Sequence, residues 1–286
     1  MSKRDPDRRT VFKVALGAIA AGAAAATYMS AEARWIECAE KELTVPGLPA
    51  PWSGLKILHL SDIHAGSPTS NERNLHRVVG WAAPLSPDLV LLTGDILGRR
   101  EASRPALDLL ARLKPTLGTF AVTGNHEYGL SKAPLARPRD TRDLWQQAGI
   151  AVLSDTCVLL PEREGSTIVL CGADHLTGGY GLKRRGAIPR PAHLRTFPVL
   201  LVHEPPPSDS RLAHLFPLAF AGHTHGGQLR IPGRSGLTPL NKEDYEYLSG
   251  VNPWGDGTIV ISRGVGTSFL PFRLCTRPEA TLWRLV

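Results

Sequence analysis

The sequence predicts an α/β fold with a parallel sheet at its heart, and three observations predict it. Between residues 54 and 149, apolar runs that read as buried strands alternate with stretches of helical spacing. Each run ends in polar residues, and ligands gather at the carboxyl ends of strands in such sheets. The chain is 286 residues long, 42% hydrophobic and 21% charged, which is enough for a large core and outside the disordered range.

In chain order, residues 54–64 (GLKILHLSDIH) read as a buried strand. Asp62 and His64 stand two apart at its end and face one side if the extended geometry persists. Residues 71–83 have helical spacing, with Asn71 placed as the N-cap. PDLVLLTGDI is a second strand, ending at Gly94-Asp95. Residues 104–114 read as a helix, GTFAVTGNHEY as a third strand, and residues 139–149 as another helix. The second half changes character. AVLSDTCVLL, STIVLCGAD, PVLLVHE, PLAFAGH, TIVISRG and ATLWRLV read as short strands joined by turns. Residues 177–195 and 232–257 read as long loops, which in compact domains are often functional.

The first 33 residues form a leader. Arg8-Arg9 precede Phe12 and Lys13, an Ala/Gly-rich apolar run follows from Val14 to about Tyr28, and Ala31-Glu32-Ala33 closes it. A charged front, an apolar middle and a small-x-small end make an export signal, and the paired arginines resemble the twin-arginine motif. The competing reading is an uncleaved N-terminal membrane anchor. Residues 1–33 are therefore assigned to the signal or anchor, 34–53 to a linker and 54–286 to the folded domain. The expected location is the periplasm, the cell wall or the outer face of the membrane, reached through the twin-arginine export machinery. Export by that route suits a protein that folds before crossing.

The formal net charge is +7. That balance suits anionic substrates or an anionic membrane surface, and its diffuseness, without stacked aromatics, excludes nucleic acid as partner. Of the four cysteines, Cys38, Cys157, Cys171 and Cys275, none forms a C-x-x-C pair. Cys157 and Cys171 flank a hairpin turn and can face each other, but two buried small side chains is the simpler expectation. No G-x-G-x-x-G turn supports a dinucleotide-binding reading.

The strand ends carry the chemistry. Asp62, His64, Asp95, Asn125, His126, His203, His223 and His225 occupy five of them. Carboxylate, imidazole and amide donors without thiolate suit Mn, Fe or Zn and do not suit a structural zinc cluster. Each residue alone has a bland reading as turn former, cap or buried histidine. Five coincident strand ends do not. Two neighbouring cations need a bridging anion, and Asp95 is placed there.

Asp-Ile-His, Gly-Asp, Gly-Asn-His-Glu, a lone His and Gly-His-Thr-His, in this order from about Leu55 onward, resemble the calcineurin-like metallophosphoesterases. GHTHGGQ, SRGVGTSFLPFR and RPEATL resemble their exported bacterial branch. The resemblance implies a four-layer αββα sandwich of two mixed sheets flanked by helices. It also implies two divalent metal ions: Asp62, His64 and His225 on one, Asn125, His203 and His223 on the other, and Asp95 between them. His126 would stay off the metals and act on the leaving oxygen. The implied activity is hydrolysis of a phosphodiester or related ester by water activated between the metals. Its substrate would be a phosphorylated small molecule or lipid of the cell envelope, with membrane association. The alternatives are a UDP-diacylglucosamine pyrophosphatase-like enzyme of lipid A synthesis and, from another class, a non-catalytic scaffold.

Two departures from the family pattern stand out. Gly98 replaces an aspartate that some relatives carry, so the orientation of His126 must come from elsewhere. Asp174-His175 replaces Asp-Asp, and His175 reads as a solvated loop residue. Arg99, Arg100, Lys183, Arg184, Arg185 and Arg190 read no better as phosphate contacts than as solvated loop charge.

Overall fold

A computed structural model of the chain describes residues 8–66, 70–98, 100–129, 142–230 and 245–286. Helix α1 (Arg8–Ala33) stands at the N-terminus. The first sheet is built from β1 (Glu37–Leu43), β2 (Lys56–Leu60), β3 (Leu89–Thr93), β4 (Thr119–Val122) and β5 (Ile150–Val152), together with β12 (Glu279–Leu285). Helices α2 (Ser70–Ala82), α3 (Arg100–Leu110) and α4 (Arg142–Gln147) connect β2 to β5. The second sheet is β6 (Thr156–Leu159), β7 (Ser166–Gly172), β8 (Arg195–Leu201), β9 (Leu218–Ala221), β10 (Gly250–Trp254) and β11 (Gly257–Ile261).

The spatial orders are β1-β12-β2-β3-β4-β5 and β10-β11-β9-β8-β7-β6. β2 to β5 run parallel, as expected, and β12 enters antiparallel to β2. β7, β8, β9 and β11 run parallel, with antiparallel β6 and β10 at the edges. Both sheets are thus mixed. β3 (LVLLT) and β7 (STIVLCG) are buried along their whole length, as central strands covered on both faces must be.

Three apolar clusters define the layers. The outer face of the first sheet packs on Leu75, Val78 and Val79 of α2, Leu107 and Leu110 of α3, and Trp145 of α4. The two inner faces meet through Ile57, Leu91, Leu170, Val199, Phe220 and Trp283. The outer face of the second sheet is covered by Leu182, Leu212 and Phe216, from turns and a short 3-10 segment, packed with Trp254 of β10. On that side the described residues supply loops in place of long helices.

Several boundaries differ from the sequence reading. The segment assigned to a linker, 34–53, contains β1, which pairs in parallel with β12 along seven residues. Its sequence, ECAEKEL, is mostly polar because it is a half-exposed edge strand. AVLSDTCVLL divides between the two sheets as β5 and β6, turning at Asp155 with φ of 51°. The loop read at 232–257 holds β10, and its first part lies outside the described residues, as do residues 139–141 of the helix read at 139–149. Asn71 is not the cap of α2 but lies inside it, buried and turned toward the loop after β11. Cys157 and Cys171 form a disulfide, against the simpler expectation of two buried small side chains. They are register partners across β6 and β7, so the hairpin itself brings the sulfurs together.

Candidate metal centre

All eight strand-end residues converge on one edge of the sandwich, at the carboxyl ends of β2, β3, β4, β8 and β9. The backbone there is not extended. Asp62, His64, Asp95, His223 and His225 all adopt positive φ, between 49° and 69°. The face-sharing of Asp62 and His64 therefore does not come from strand alternation. Each turn leaves its strand abruptly and aims the side chain back over the strand end. Non-glycine residues adopt this conformation at a cost, and such costs concentrate at functional sites.

Two glycines set the closeness of the turns. A Cβ on Gly222 would overlap Ser61 Oγ, and one on Gly124 would overlap Asp95 Oδ1. Gly98, where some relatives carry aspartate, donates its N–H to Ala65 O at 2.9 Å, and a Cβ there would lie 2.7 Å from that oxygen. No side chain fits that position.

Three donor groups lie within 4.8 Å of one another: Asp62, His64 and His225; His64, Asp95 and His126; and Asp95, His203 and His223. His64 Nε2 and His225 Nε2 are 3.1 Å apart, and Asp62 Oδ1 is 3.3 Å from His225 Nε2. On the other side, His203 Nε2 is 3.0 Å from His223 Nδ1 and 3.3 Å from Asn125 Oδ1. Asp95 stands between the two sets. Its Oδ1 accepts the His126 N–H at 2.8 Å, while Oδ2 lies 3.8 Å from His64 Nε2 and 3.5 Å from His203 Nε2.

These donors fit cations. Asp62 Oδ1 is buried with no hydrogen-bond partner among the described residues. His203 Nδ1 donates to Thr93 O at 2.8 Å, which turns Nε2 toward the cluster. Burial, more than any neighbour, lowers the pKa of His64 and His126, and it lowers His223 to about 4. Neutral imidazoles keep the lone pair that a metal requires. His203 is the exception. Burial disfavours its charge, but Asp95 outweighs burial and raises it to about 10. Burial raises Asp95 and Asp62, yet the neighbouring histidines hold both below the usual carboxylate range. A cluster that holds a proton at His203 in this way is one that a cation relieves.

Sequence reasoning missed the residues that hold these donors. Glu127 is buried, and its carboxylate accepts the N–H groups of Asp95, Ile96, Leu97 and Gly124 at 2.8–2.9 Å. Burial, and then the charge of Asp95, pushes it up to about 7 against those four donors. Arg273 is fully buried. It donates to His225 O at 3.0 Å, lies 3.3 Å from His225 Nδ1, and also donates to Thr276 O and Arg263 O. Asn71 donates to His64 O and accepts the Thr267 N–H. An arginine set among apolar neighbours, as Arg273 in PFRLC, is the one local signal of burial the sequence carries.

His126 is oriented without the missing aspartate. Its ring packs edge-on against His64, with centroids 4.4 Å apart, and its N–H is tied to Asp95. His175 is not a solvated loop residue. It is half-buried, 5.7 Å from the His203 ring and 6.5 Å from the His223 ring. Tyr245, 5.8 Å from the His223 ring, bonds Glu204 through its hydroxyl at 3.2 Å. Together they line the open side. Arg184, Arg185 and Arg190 are exposed, and Arg99 lies outside the described residues.

Residues 55–227 match the model of the calcineurin-like phosphoesterase family. The chain is 30% identical to the uncharacterized metallophosphoesterase YkuE of Bacillus subtilis, over 97% of each chain. It is 33% identical to the phosphodiesterase YaeI of Escherichia coli, over 81% of this chain and 82% of that one. It is 31% identical to a transmembrane protein with metallophosphoesterase domain of Danio rerio, over 84% of this chain and 55% of that one, so it spans about half of that relative.

Proposed function

The chain belongs to the calcineurin-like phosphoesterases, metal-dependent hydrolases of phosphoric esters, and from that premise we propose that it cleaves a phosphodiester of the cell envelope at a two-cation centre. The observation that carries the reading is Asp95. One carboxylate faces two separate sets of nitrogen and oxygen donors, as a ligand shared by two cations must. Asp62, His64 and His225 would hold one cation, and Asn125, His203 and His223 would hold the other. Mn, Fe and Zn all suit this donor set.

When bound, such cations offset the charge of the phosphate and acidify water at neutral pH. The protein's own groups do the rest. Glu127 fixes the Asp95 turn through four N–H groups, so the shared carboxylate does not swing. His126, partly open to solvent beside Asp95, presents its ring to the oxygen that leaves phosphorus and meets the charge growing there. His175, Tyr245 and Glu204 flank the open side, where the alcohol groups of a diester enter.

Two features support an exported enzyme. A disulfide suits an oxidising compartment. α1 carries a twin-arginine-like front and an 18-residue window of mean hydropathy 1.5, long and apolar enough to cross a membrane. The same disulfide favours this reading over the lipid A pyrophosphatase reading, whose substrate arises in the reducing cytoplasm. The test is a screen of protein loaded with Mn, Fe or Zn against mono-, di- and pyrophosphate esters. Two bound ions with diester cleavage are expected. Two bound ions without cleavage of any ester would move the protein to the scaffold class.

A further inference from the structure

The leader's last turn is part of the folded domain. Glu32 is 3% exposed, and its Oε1 accepts the Thr276 N–H at 2.7 Å. Ala33 is buried, and its carbonyl accepts from Asn74 Nδ2 at 2.9 Å. Met29 O accepts the Arg273 N–H at 3.0 Å. Ala31-Glu32-Ala33, the segment a signal peptidase would need extended, is therefore helical, with Glu32 and Ala33 covered, once the domain has folded. A twin-arginine substrate folds before export. Its cleavage site is then already hidden.

The rest of α1 is the opposite. Val11, Phe12, Val14, Leu16 and Ile19 are all exposed and find no cover among the described residues. The 18-residue apolar window spans about 27 Å at 1.5 Å per residue, close to a hydrocarbon core of about 30 Å. The junction with the domain carries exposed Tyr28 and Trp35, and Arg277 stacks on the Trp35 ring at 4.1 Å. Arg34 and Arg77 join them, Arg77 donating to Arg34 O. Aromatic rings and arginines at one end of an apolar helix are what the headgroup layer of an anionic membrane retains.

The same junction reaches the metal centre. The loop after β11 is gripped by Asn71 at Thr267, by Gln228 at Ser268 and Leu270, and by Met29 at Arg273. Arg273 in turn holds His225. Between these grips, Phe269 is pushed out, 65% exposed and at φ of 63°. An aromatic residue pays strain in that conformation and gains no burial inside the domain. Leu270 is exposed beside it.

We propose that α1 is retained as a membrane anchor, and that it and the Phe269–Leu270 tip seat the metal centre against the bilayer, so that the substrate is a phosphodiester of a membrane phospholipid. This rests on the phosphodiesterase reading. The basic residues Arg8, Arg9 and Lys13 stay on the cytoplasmic side and leave the domain outside.

Two measurements on the full chain test it. The intact mass of protein extracted from the membranes of producing cells should include α1; a chain beginning at Arg34 overturns retention. The metal-loaded protein and its Phe269→Asp variant are then compared in vesicles of phosphatidylethanolamine and phosphatidylglycerol, and on soluble bis(p-nitrophenyl) phosphate. Aspartate accepts positive φ, so the variant keeps its fold. Its lipid hydrolysis should fall about tenfold, as when a charge replaces an interfacial aromatic near an anionic surface, with the soluble rate unchanged. Equal lipid rates, or soluble cleavage without lipid cleavage, overturn the seating. Failure of the wild type on the soluble ester strikes the phosphodiesterase reading instead, and the mass still decides the anchor.

Discussion

The two halves of the centre are built differently. Asp62, His64 and His225 form a deep half: all three are buried, and Arg273 and Asn71 brace them from behind. Asn125, His203 and His223 form an open half. His203 is buried, but Asn125 and His223 are only half-buried, and His175 and Tyr245 stand over them. The difference teaches a division of labour. In the proposed two-cation centre the deep half would keep its cation, and the open half would receive the phosphate and its alcohol groups.

The variant expected to do most damage erases the distinction. Asp95→Ala removes the one carboxylate both halves share, so both should empty together and turnover should fall to background; metal analysis and kinetics check this. Full occupancy in that variant would break the two-half picture. Next in size is His126→Ala. It should keep both cations and lose about a hundredfold or more in kcat, the usual range for a positioned proton donor. Loss of metal in that variant would make His126 a ligand.

Acid should separate the halves. In the metal-free protein the His203 pKa is raised to about 10, so a proton competes with the cation in the open half throughout the neutral range. In the deep half, burial lowers His64 and the neighbouring histidines hold Asp62 below its usual range, so protons compete less there. As pH falls, the open half should lose its cation first, seen as two steps in metal content. The metal-free fold shows the opposite sign. A histidine raised from 6.5 to about 10 contributes stability fully below pH 6.5, and that contribution is lost as pH rises through 10. The Tm of metal-free protein should therefore fall across that window, while metal-loaded protein resists. The smallest effect is expected from Tyr245→Phe. Loss of its bond to Glu204 should raise KM about two- to tenfold, the worth of one hydrogen bond, and leave metal content unchanged.

The donors themselves were legible because their residue types sit where strands of apolar sequence stop. What held them in place was not. Glu127 and Arg273 act through backbone groups of residues far away in the chain, and nothing local to HEY or PFRLC names those partners. β1 was hidden by its polar sequence, which only its pairing with β12 explains. The turn geometry at Asp62 and His64 also escaped. Strand periodicity predicted that the two share a direction, and they do, through left-handed turns that periodicity does not describe.

The position of β12 has a consequence for how the protein is made. Glu279–Leu285 fill the gap between β1 and β2, two strands more than two hundred residues earlier in the chain. Until they pair, β2 lacks one of its two neighbours and β1 has no partner strand among the described residues. Closure of the first sheet thus waits on pairings more than two hundred residues apart, the slow kind of contact. Before those pairings form, the chain holds every donor of the centre in a frame that is still open.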